Sequence, residues 1–474
     1  MESLAETEWD VVISGTGLQQ SLLALALSRS GKNILHVDAN TYYGGNEAAF
    51  SLQEVDEWAA ATGNVEVTKA EGGLSFPRAY SIALAPQIIH TKSELLSQLV
   101  SSKAFRQIEF LAVGSFYIYE PDNASLNRIP STREDVFSNT SIPAKSKRSL
   151  MKFLKFVLDY DAPPHRETWT PHADLPLRTF LAQEFKLDER LQADIITLTL
   201  SLDGNITVKD GLRSIHQHMS SMGLFGAGFA AVVPKWGGLS EVAQVGCRAL
   251  AVGGAVYMLG TGIKSARASE QRIDVSLSND IDVKTRFLVK ETDVDTPTMS
   301  LARLTAVVHS DLSSLFDATV EGAPSPVVAV VAFPAGYAKT PDGTASEYPI
   351  YAMVHSSETG ECPKGQCVIY LSTMPQPNAK SLLDNALSSL LGAVGEAQVP
   401  EILYRLSYTH HQRVSRPSDS NVVTLPTLPL DLAFNDAALA SVKAAWETCT
   451  ADDDGEKEYM VFEDREGADN DDYE

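Results

Sequence analysis

The sequence predicts an α/β protein with more than one sheet and an inserted domain made only of helices. Three observations support this prediction: a strand–helix–strand unit near the start, a helical stretch at residues 145–224, and strand-like segments after that stretch. With 474 residues, of which 44% are hydrophobic and 21% charged, the chain is long enough for a large core in more than one lobe.

The strand–helix–strand unit occupies residues 11–38. Residues 11–14 (VVIS) are a short apolar run typical of a buried strand, and a tight glycine turn follows. Residues 18–30 have leucines at helical spacing, and residues 33–37 predict a second strand that ends at Asp38. A unit of this kind predicts a parallel sheet.

The helical stretch carries apolar residues at helical spacing and almost no strand signal. Within 145–224 the helical segments are predicted at 150–158, 175–185, 191–202 and 212–222. We therefore expect a helical domain at 145–224, inserted into a discontinuous α/β domain formed by 8–125 and 225–445. Predicted strands of that second part are 255–259, 273–277, 304–309, 327–333, 350–354 and 368–371, followed by a helix at 381–391.

The glycine turn after the first strand is a dinucleotide motif with one member missing. Gly15 and Gly17 stand at the first two positions of G-x-G-x-x-G, and Gln20 replaces the third glycine. The third glycine normally allows close packing of helix and strand, and the bulk of Gln20 is expected where that packing occurs.

The residues after the second strand extend this pattern. Asp38 stands where a ribose-binding acid belongs, and Gly44 and Gly45 complete a spacing typical of flavoproteins. The spacing predicts an FAD/NAD(P)-binding-like fold, whereas the incomplete motif predicts that no FAD is bound, so we expect no cofactor.

Charge and composition exclude several classes of function. The net charge is −23, and residues 451–474 contain twelve acidic and two basic side chains, which argues against nucleic acid as a partner. We expect this acidic tail to be a disordered end, although the apolar run at 459–462 offers a way to pin part of it to the body.

The four cysteines do not form a metal-ligand pattern, so no metal is expected.

No catalytic arrangement stands out. The sequence has no serine in a G-x-S-x-G turn and no obvious pair of carboxylates, and the paired histidines at 410–411 are expected to be surface or packing residues. The N-terminus is acidic rather than basic and apolar, so no secretory signal is expected. The sequence therefore predicts a cytoplasmic, non-catalytic protein.

Two stretches carry a specific family resemblance. Residues 9–18 (WDVVISGTGL) and 35–46 (LHVDANTYYGGN) resemble the superfamily of Rab GDP-dissociation inhibitors and Rab escort proteins. The chain lacks the long insertion of animal members of this superfamily, as expected for a compact lower-eukaryote type. Several stretches are similar to the escort branch, the component A of Rab geranylgeranyltransferase. These stretches are 46–50, 133–137, 150–154 and 362–367.

The resemblance implies a GDI-type fold and a platform that binds Rab GTPases in their GDP state. Residue by residue, the family's platform matches Tyr43, Glu241 and Arg248, where the seven-residue gap between acid and arginine is kept. An aromatic group with two opposite charges is suited to an interface, although Tyr43 as a packing residue and Glu241 with Arg248 as an internal pair remain alternatives.

The resemblance also implies a role for the helical domain. It would hold the geranylgeranyl lipid of the Rab tail between its helices and dock the α/β heterodimer of Rab geranylgeranyltransferase, with transient membrane association during delivery. Animal members use a phenylalanine for that docking, and this sequence has a polar residue, near Asp194, at that point, so the contact is not carried over.

Three functions therefore compete. The first is an escort protein that presents new Rab to the transferase and chaperones the product to membranes. The second is a GDP-dissociation inhibitor that recycles prenylated Rab, and the third is a flavin-dependent oxidoreductase.

Overall fold

The computed structural model of the protein describes residues 2–130, 136–137, 139–140, 142–269, 272–292, 298–318, 322–413, 421–452 and 458–464. The helices in these ranges are α1 (Glu2–Glu6), α2 (Leu18–Leu27), α3 (Leu52–Thr62), α4 (Glu94–Ser101), α5 (Ala144–Leu158), α6 (Pro163–Trp169), α7 (Leu177–Glu184), α8 (Glu189–Leu198), α9 (Val208–Ser221), α10 (Leu239–Val252), α11 (Ala379–Ala393) and α12 (Ala438–Thr450). None of these helices has the length and apolar character that a membrane crossing requires.

The strands in the same ranges are β1 (Glu8–Ser14), β2 (Ile34–Asp38), β3 (Ala49–Phe50), β4 (Glu66–Lys69), β5 (Ile82–Ala83), β6 (Ile89–His90), β7 (Phe110–Glu120), β8 (Ser125–Arg128), β9 (Ala231–Pro234), β10 (Val256–Leu259), β11 (Ile263–Ala268), β12 (Ile273–Leu277), β13 (Asp282–Glu291), β14 (Met299–His309), β15 (Val328–Phe333), β16 (Ile350–Ser356), β17 (Cys367–Thr373), β18 (Glu401–Gln412) and β19 (Val422–Leu425).

The first sheet is built on the predicted strand–helix–strand unit. Its order is β10-β2-β1-β13-β12-β11, and β19 pairs with β13. β1 pairs in parallel with β2 on one side and with β13 on the other, which confirms the parallel pairing predicted for this unit, whereas β11, β12 and β13 pair antiparallel and make the sheet mixed. Val11, Val12 and Ile13 of β1 are fully buried because both faces of the sheet are covered. The turn after β1 is therefore anchored on the central part of the core.

The second sheet contains all four of the strands that the sequence predicts after residue 300. Its order is β4-β18-β14-β17-β16-β15-β7-β9-β6, with β8 paired to β7. The helix α11 packs its leucines on one face of this sheet. The long strands β7 and β18 were not predicted, since Gly114 and Ser115 interrupt the first and charged residues interrupt the second.

The helices α5 to α9 have an apolar core of their own. Phe153, Phe156, Phe180 and Phe185 form its aromatic centre, with Phe153 in an edge-to-face contact at 5.1 Å from Phe185. Polar side chains define where two of the helices begin: Asp188 accepts from the backbone N–H of Leu191, and Thr207 from that of Asp210. The periodicity read from the sequence thus corresponds to real helices, each displaced by a few residues.

Part of the acidic tail packs on the body of the protein. Met460 is buried and Tyr459 meets Trp446 at 5.4 Å between ring centroids. Phe462 lies under the Arg29 guanidinium at 4.6 Å, and Asp464 pairs with Arg106 at 2.6 Å. The apolar run at 459–462 therefore pins the segment 458–464. The expected disorder of the tail concerns residues that lie largely outside the described ranges.

Candidate functional site

The turn between β1 and α2 is closed by side chains of this chain. The Asp38 carboxylate accepts hydrogen bonds from the backbone N–H of Thr16 and from its hydroxyl, both at 2.7 Å. Its other oxygen accepts from the backbone N–H of Asn40 at 2.8 Å. Both oxygens of the residue that the motif assigns to a ribose are thus engaged within the protein.

Gln20 lies on the turn rather than between helix and strand. Its amide nitrogen would be 3.4 Å from a Cβ placed on Gly15, and its amide oxygen 3.0 Å from one placed on Gly17. All residues of α2 are nevertheless buried, so the helix still packs closely. The expectation that the bulk of Gln20 falls between helix and strand is therefore wrong, because the side chain turns back over the glycines.

Glu47 is the residue of this site that sequence reasoning missed. Its carboxyl group is buried and accepts a hydrogen bond at 3.1 Å from the backbone N–H of Leu18, the first residue of α2. A helix N-terminus at this place is where the pyrophosphate sits in dinucleotide-binding folds. Burial raises the pKa of Glu47 to about 8. The one available signal was an acidic residue directly after the double glycine and Asn46.

The double glycine presents Glu47 to the turn. Gly44 and Gly45 have φ of +98° and +52°, a left-handed backbone that other residues rarely adopt. The Gly44 N–H donates to the Thr16 hydroxyl at 3.1 Å. Residues 43–47 are consequently fixed to the glycine turn by backbone contacts as well as by Glu47.

The residues at the turn do not fit a dinucleotide. A cavity of about 540 Å³ lies beside it, and its walls include Asp38, Glu47 and Gln20. Gln20 covers the glycines, Glu47 takes the first N–H of α2, and Asp38 is held by Thr16 and Asn40. A pyrophosphate would have to displace Gln20 and lie against the Glu47 carboxyl.

The helix α10 carries two of the three residues assigned to the protein-binding platform. Glu241 is half-buried in its first turn, where burial raises the pKa of the carboxyl, and Arg248 is exposed. Seven residues of helix separate them by about 10 Å on one face. The structure describes both side chains and shows no ion pair between them.

Tyr43 lies beside the same helix. It is half-buried, and the pKa of its hydroxyl is raised by burial and then by the neighbouring Cys247 thiol of α10. Cys247 precedes Arg248, so Tyr43, Glu241 and Arg248 belong to one region around α10. Whether they contact a partner stays a prediction from the resemblance.

Trp236 stands in the loop that leads into α10, and sequence reasoning did not single it out. Its side chain is 55% exposed and its φ is +73°, a strained conformation for a tryptophan. The backbone is held by hydrogen bonds to Thr359 and from Ser81, and the ring covers Gly360 so closely that a Cβ there would lie 2.3 Å from it. An exposed aromatic ring fixed this firmly is a feature of binding surfaces.

A second candidate site is an apolar cavity of about 900 Å³ between the helical domain and β7. Its walls are mostly aliphatic, aromatic and thioether side chains. They include Met151, Leu154 and Leu158 of α5, Met219 of α9, Met222, Phe116 of β7 and Phe229. His218 also lines it, and burial lowers the pKa of that imidazole to about 3, so this wall is uncharged at neutral pH.

The remaining candidates of the sequence lie apart from both sites. His410 is half-buried in β18, where desolvation lowers its pKa to about 3, as expected for a packing histidine. The cysteines are all buried and unpaired, and no group of metal-ligating side chains occurs within the described ranges. Arg133 and Asp135, part of the resemblance, lie outside those ranges.

Glu47 gives a pH test of the closed turn. Because burial raises its pKa from 4.5 to about 8, the folded protein holds a proton that the unfolded chain releases above pH 4.5. The wild type should therefore lose stability between about pH 5 and 8 relative to Glu47→Gln, whose amide oxygen can still accept from Leu18. Urea unfolding of both proteins across this pH range measures the difference. The exposed Glu71→Gln is the control, and a difference independent of pH for Glu47→Gln would contradict the assignment.

The chain matches a protein family and curated proteins of known name. A family model described as GDP dissociation inhibitor (GDI) matches residues 5–299. The Rab proteins geranylgeranyltransferase component A of Saccharomyces cerevisiae is 31% identical over 401 residues, covering 80% of this chain and 64% of that relative. This chain thus spans less than two thirds of the length of that relative.

Solved structures agree on the fold. A Rab GDI from Plasmodium falciparum superposes with a TM-score of 0.67 at 18% identity, covering 93% of this chain and 98% of that one. An oxidoreductase from Methanosarcina mazei superposes with a TM-score of 0.61 at 12% identity, covering 93% and 100%. The predicted FAD/NAD(P)-binding-like α/β fold is confirmed. Because the family model matches more than half of its length, the chain belongs to the GDP dissociation inhibitor family.

Proposed function

We propose that the chain is a Rab escort protein. It binds newly made Rab GTPases in the GDP state, presents them to the Rab geranylgeranyltransferase heterodimer, and accompanies the prenylated product to membranes. The name of the Saccharomyces cerevisiae relative, component A of that transferase, supports this function over recycling alone. The observation that carries the proposal is a rigid polar and aromatic surface around α10 in the same molecule as a large apolar cavity.

The surface around α10 is suited to a folded protein. Tyr, Trp and Arg are the side chains that contribute most to protein interfaces, and here Tyr43, Trp236 and Arg248 all lie on or beside α10. Glu241 adds an acceptor for a basic group of the GTPase. Because Trp236 is held in place before binding, little of its conformational entropy is lost on association.

The apolar cavity is suited to the prenyl group. A geranylgeranyl chain presents almost only hydrocarbon, and each CH₂ group removed from water contributes about 0.8 kcal/mol. Met151, Leu154, Met219 and Phe116 supply apolar walls, while Lys152 and Lys155 are the charged residues of the lining, and the cavity volume of about 900 Å³ lies in the range of known ligand sites. The methionines can adapt to a flexible chain.

Binding at α10 can be tested by substitution. Arg248→Glu and, separately, Trp236→Ala should each weaken Rab–GDP binding by about 1.5–3 kcal/mol, through charge reversal in one case and loss of an aromatic contact in the other. Titration of fluorescently labelled Rab–GDP measures the affinity. Arg267→Glu, on β11 at the opposite end of the first sheet from β10, is the matched control. Unchanged affinity in the Arg248 variant, with the fold intact, would show that the platform lies elsewhere.

The protein should bind no flavin. Gln20, Glu47 and Asp38 use the groups that a dinucleotide would need, as described above. We expect purified protein to be colourless and to release no FAD on heat denaturation, which absorbance and fluorescence of the supernatant measure. Stoichiometric FAD would contradict this expectation and favour an oxidoreductase.

We further propose that the chain is an accessory component and not the transferase itself. Thioether formation needs an activated thiolate, commonly on zinc, and stabilisation of the leaving diphosphate. Burial raises the pKa of Cys247 to about 11 and the pKa values of Cys362 and Cys449 to about 12, so these thiols are poor nucleophiles and poor ligands. What the chain supplies is orientation of the Rab, which raises the effective concentration of its cysteine tail at the enzyme.

The escort role is tested by prenylation itself. Incorporation of labelled geranylgeranyl into full-length Rab should be strongly stimulated when this protein is added to the transferase heterodimer, and it should be absent with this protein alone. The stimulation follows from an effective concentration that reaches about the millimolar range. The Arg248→Glu variant should stimulate less at limiting concentration. Equal rates with and without the protein would leave the recycling inhibitor as the better function.

A further inference from the structure

We propose that the exposed basic face of α5 binds anionic lipid headgroups and thereby brings the mouth of the apolar cavity to the membrane surface. This inference rests on the proposed function, since it concerns the delivery of a prenylated cargo. It assigns the membrane contact to one helix, and the occupant of that face is a lipid bilayer.

The charge of α5 is unlike that of the rest of the chain. Its fifteen residues include five basic side chains and no acidic one, in a protein whose net charge is −23. Lys145, Arg148, Lys152 and Lys155 follow one another at intervals of three, four and three residues and are all exposed. Side chains at this spacing lie on one face of a helix. We call these four residues the basic stripe.

The opposite face of α5 explains why the stripe points outward. Leu150, Phe153 and Val157 are buried in the core of the helical domain. The basic stripe is therefore held in a fixed direction by packing. A rigid helix with one apolar face in the core and one basic face in water needs no reorganisation to meet a flat anionic surface.

The stripe borders the apolar cavity. Lys152 and Lys155 contribute to its wall, and Met151, Leu154 and Leu158 line it from the next face of the same helix. Leu158 is 45% exposed at the end of the helix. Any surface that meets the stripe consequently lies next to the cavity. For a prenylated cargo, this surface is the bilayer into which the prenyl group must pass.

The stripe has no internal neutralising partner in the part of the chain that the structure describes. None of its four members forms an ion pair with a described carboxylate, and Lys152 instead lies 5.6 Å from the centroid of the Phe185 ring. Asp188 contacts α5 through Ser146, whose hydroxyl donates a hydrogen bond to the Asp188 carboxylate at 2.8 Å, and Ser146 is not part of the stripe. The positive charge is thus available to an outside anion.

The acidic remainder of the protein makes the contact directional. At physiological ionic strength charges act over about 8 Å, so an approaching membrane senses the local stripe more than the net charge. Each basic side chain near an anionic surface strengthens binding by about fivefold. Because the bulk of the molecule is repelled, this face is the one that an anionic bilayer favours.

Vesicle flotation tests the inference with the full-length protein. Wild type should float with vesicles of one part phosphatidylserine to three parts phosphatidylcholine and not with phosphatidylcholine alone, and salt should weaken the binding. Lys145→Gln with Arg148→Gln, which leaves the cavity walls untouched, should reduce the partition coefficient at least tenfold, at about fivefold for each charge. Lys209→Gln with Lys364→Gln removes the same charge elsewhere and should bind as wild type.

The outcomes separate this inference from the function on which it rests. The stripe variant should keep its affinity for Rab–GDP and its thermal stability. If the wild-type protein does not bind Rab–GDP, the escort role is wrong, and the vesicle assay still tests lipid binding separately. If wild type does not float, or the stripe variant floats equally well, the inference is wrong. It is also wrong if the variant keeps its lipid binding but loses association with the transferase, because the stripe would then be a protein contact.

Discussion

The closed glycine turn between β1 and α2 is the constraint on which the arrangement of the first domain depends. Asp38 ties the end of β2 to Thr16, and Glu47 ties residues 43–47 to the start of α2. In a dinucleotide-binding protein a ligand completes these contacts. Here side chains do so, and the segment that bears Tyr43 is fixed as a result. The contacts that close this turn therefore also hold one edge of the surface that we propose for protein binding.

The sequence predicted the fold well where buried strands and amphipathic helices leave a periodic signal. β1 and β2 are of this kind because they are short, continuous apolar runs that are buried, and the helices of the inserted domain bury apolar residues at a helical period. β7 and β18 escaped prediction because glycine and charged residues interrupt their apolar pattern. Those residues are accommodated by neighbours far away in sequence, which no local pattern reveals.

The candidate site was predictable in its residue types and much less in its geometry. The spacing of Gly15, Gly17 and Asp38 indicated the turn, but the direction of the Gln20 side chain depends on space that only the folded molecule defines. Glu47 was missed because its contact with the backbone N–H of Leu18, 29 residues earlier, exists only in the folded molecule. The assignment of Glu241 and Arg248 came from resemblance, and the structure adds that they share a helix with no ion pair between them.

The two candidate sites make opposite physical demands, and the fold separates them accordingly. The proposed recognition of a folded GTPase needs directed groups on a rigid frame, and the strained backbone of Trp236 and the helix α10 are features of this kind. A prenyl chain needs volume without direction, which flexible methionines provide between α5, α9 and β7. The connections of the helical domain run to β8 and β9, which both pair with β7, and β7 supplies one wall of the cavity. The proposed lipid site and the positive charge of α5 thus belong to the helical domain, whereas the closed turn belongs to the connection between β1 and α2 of the first sheet.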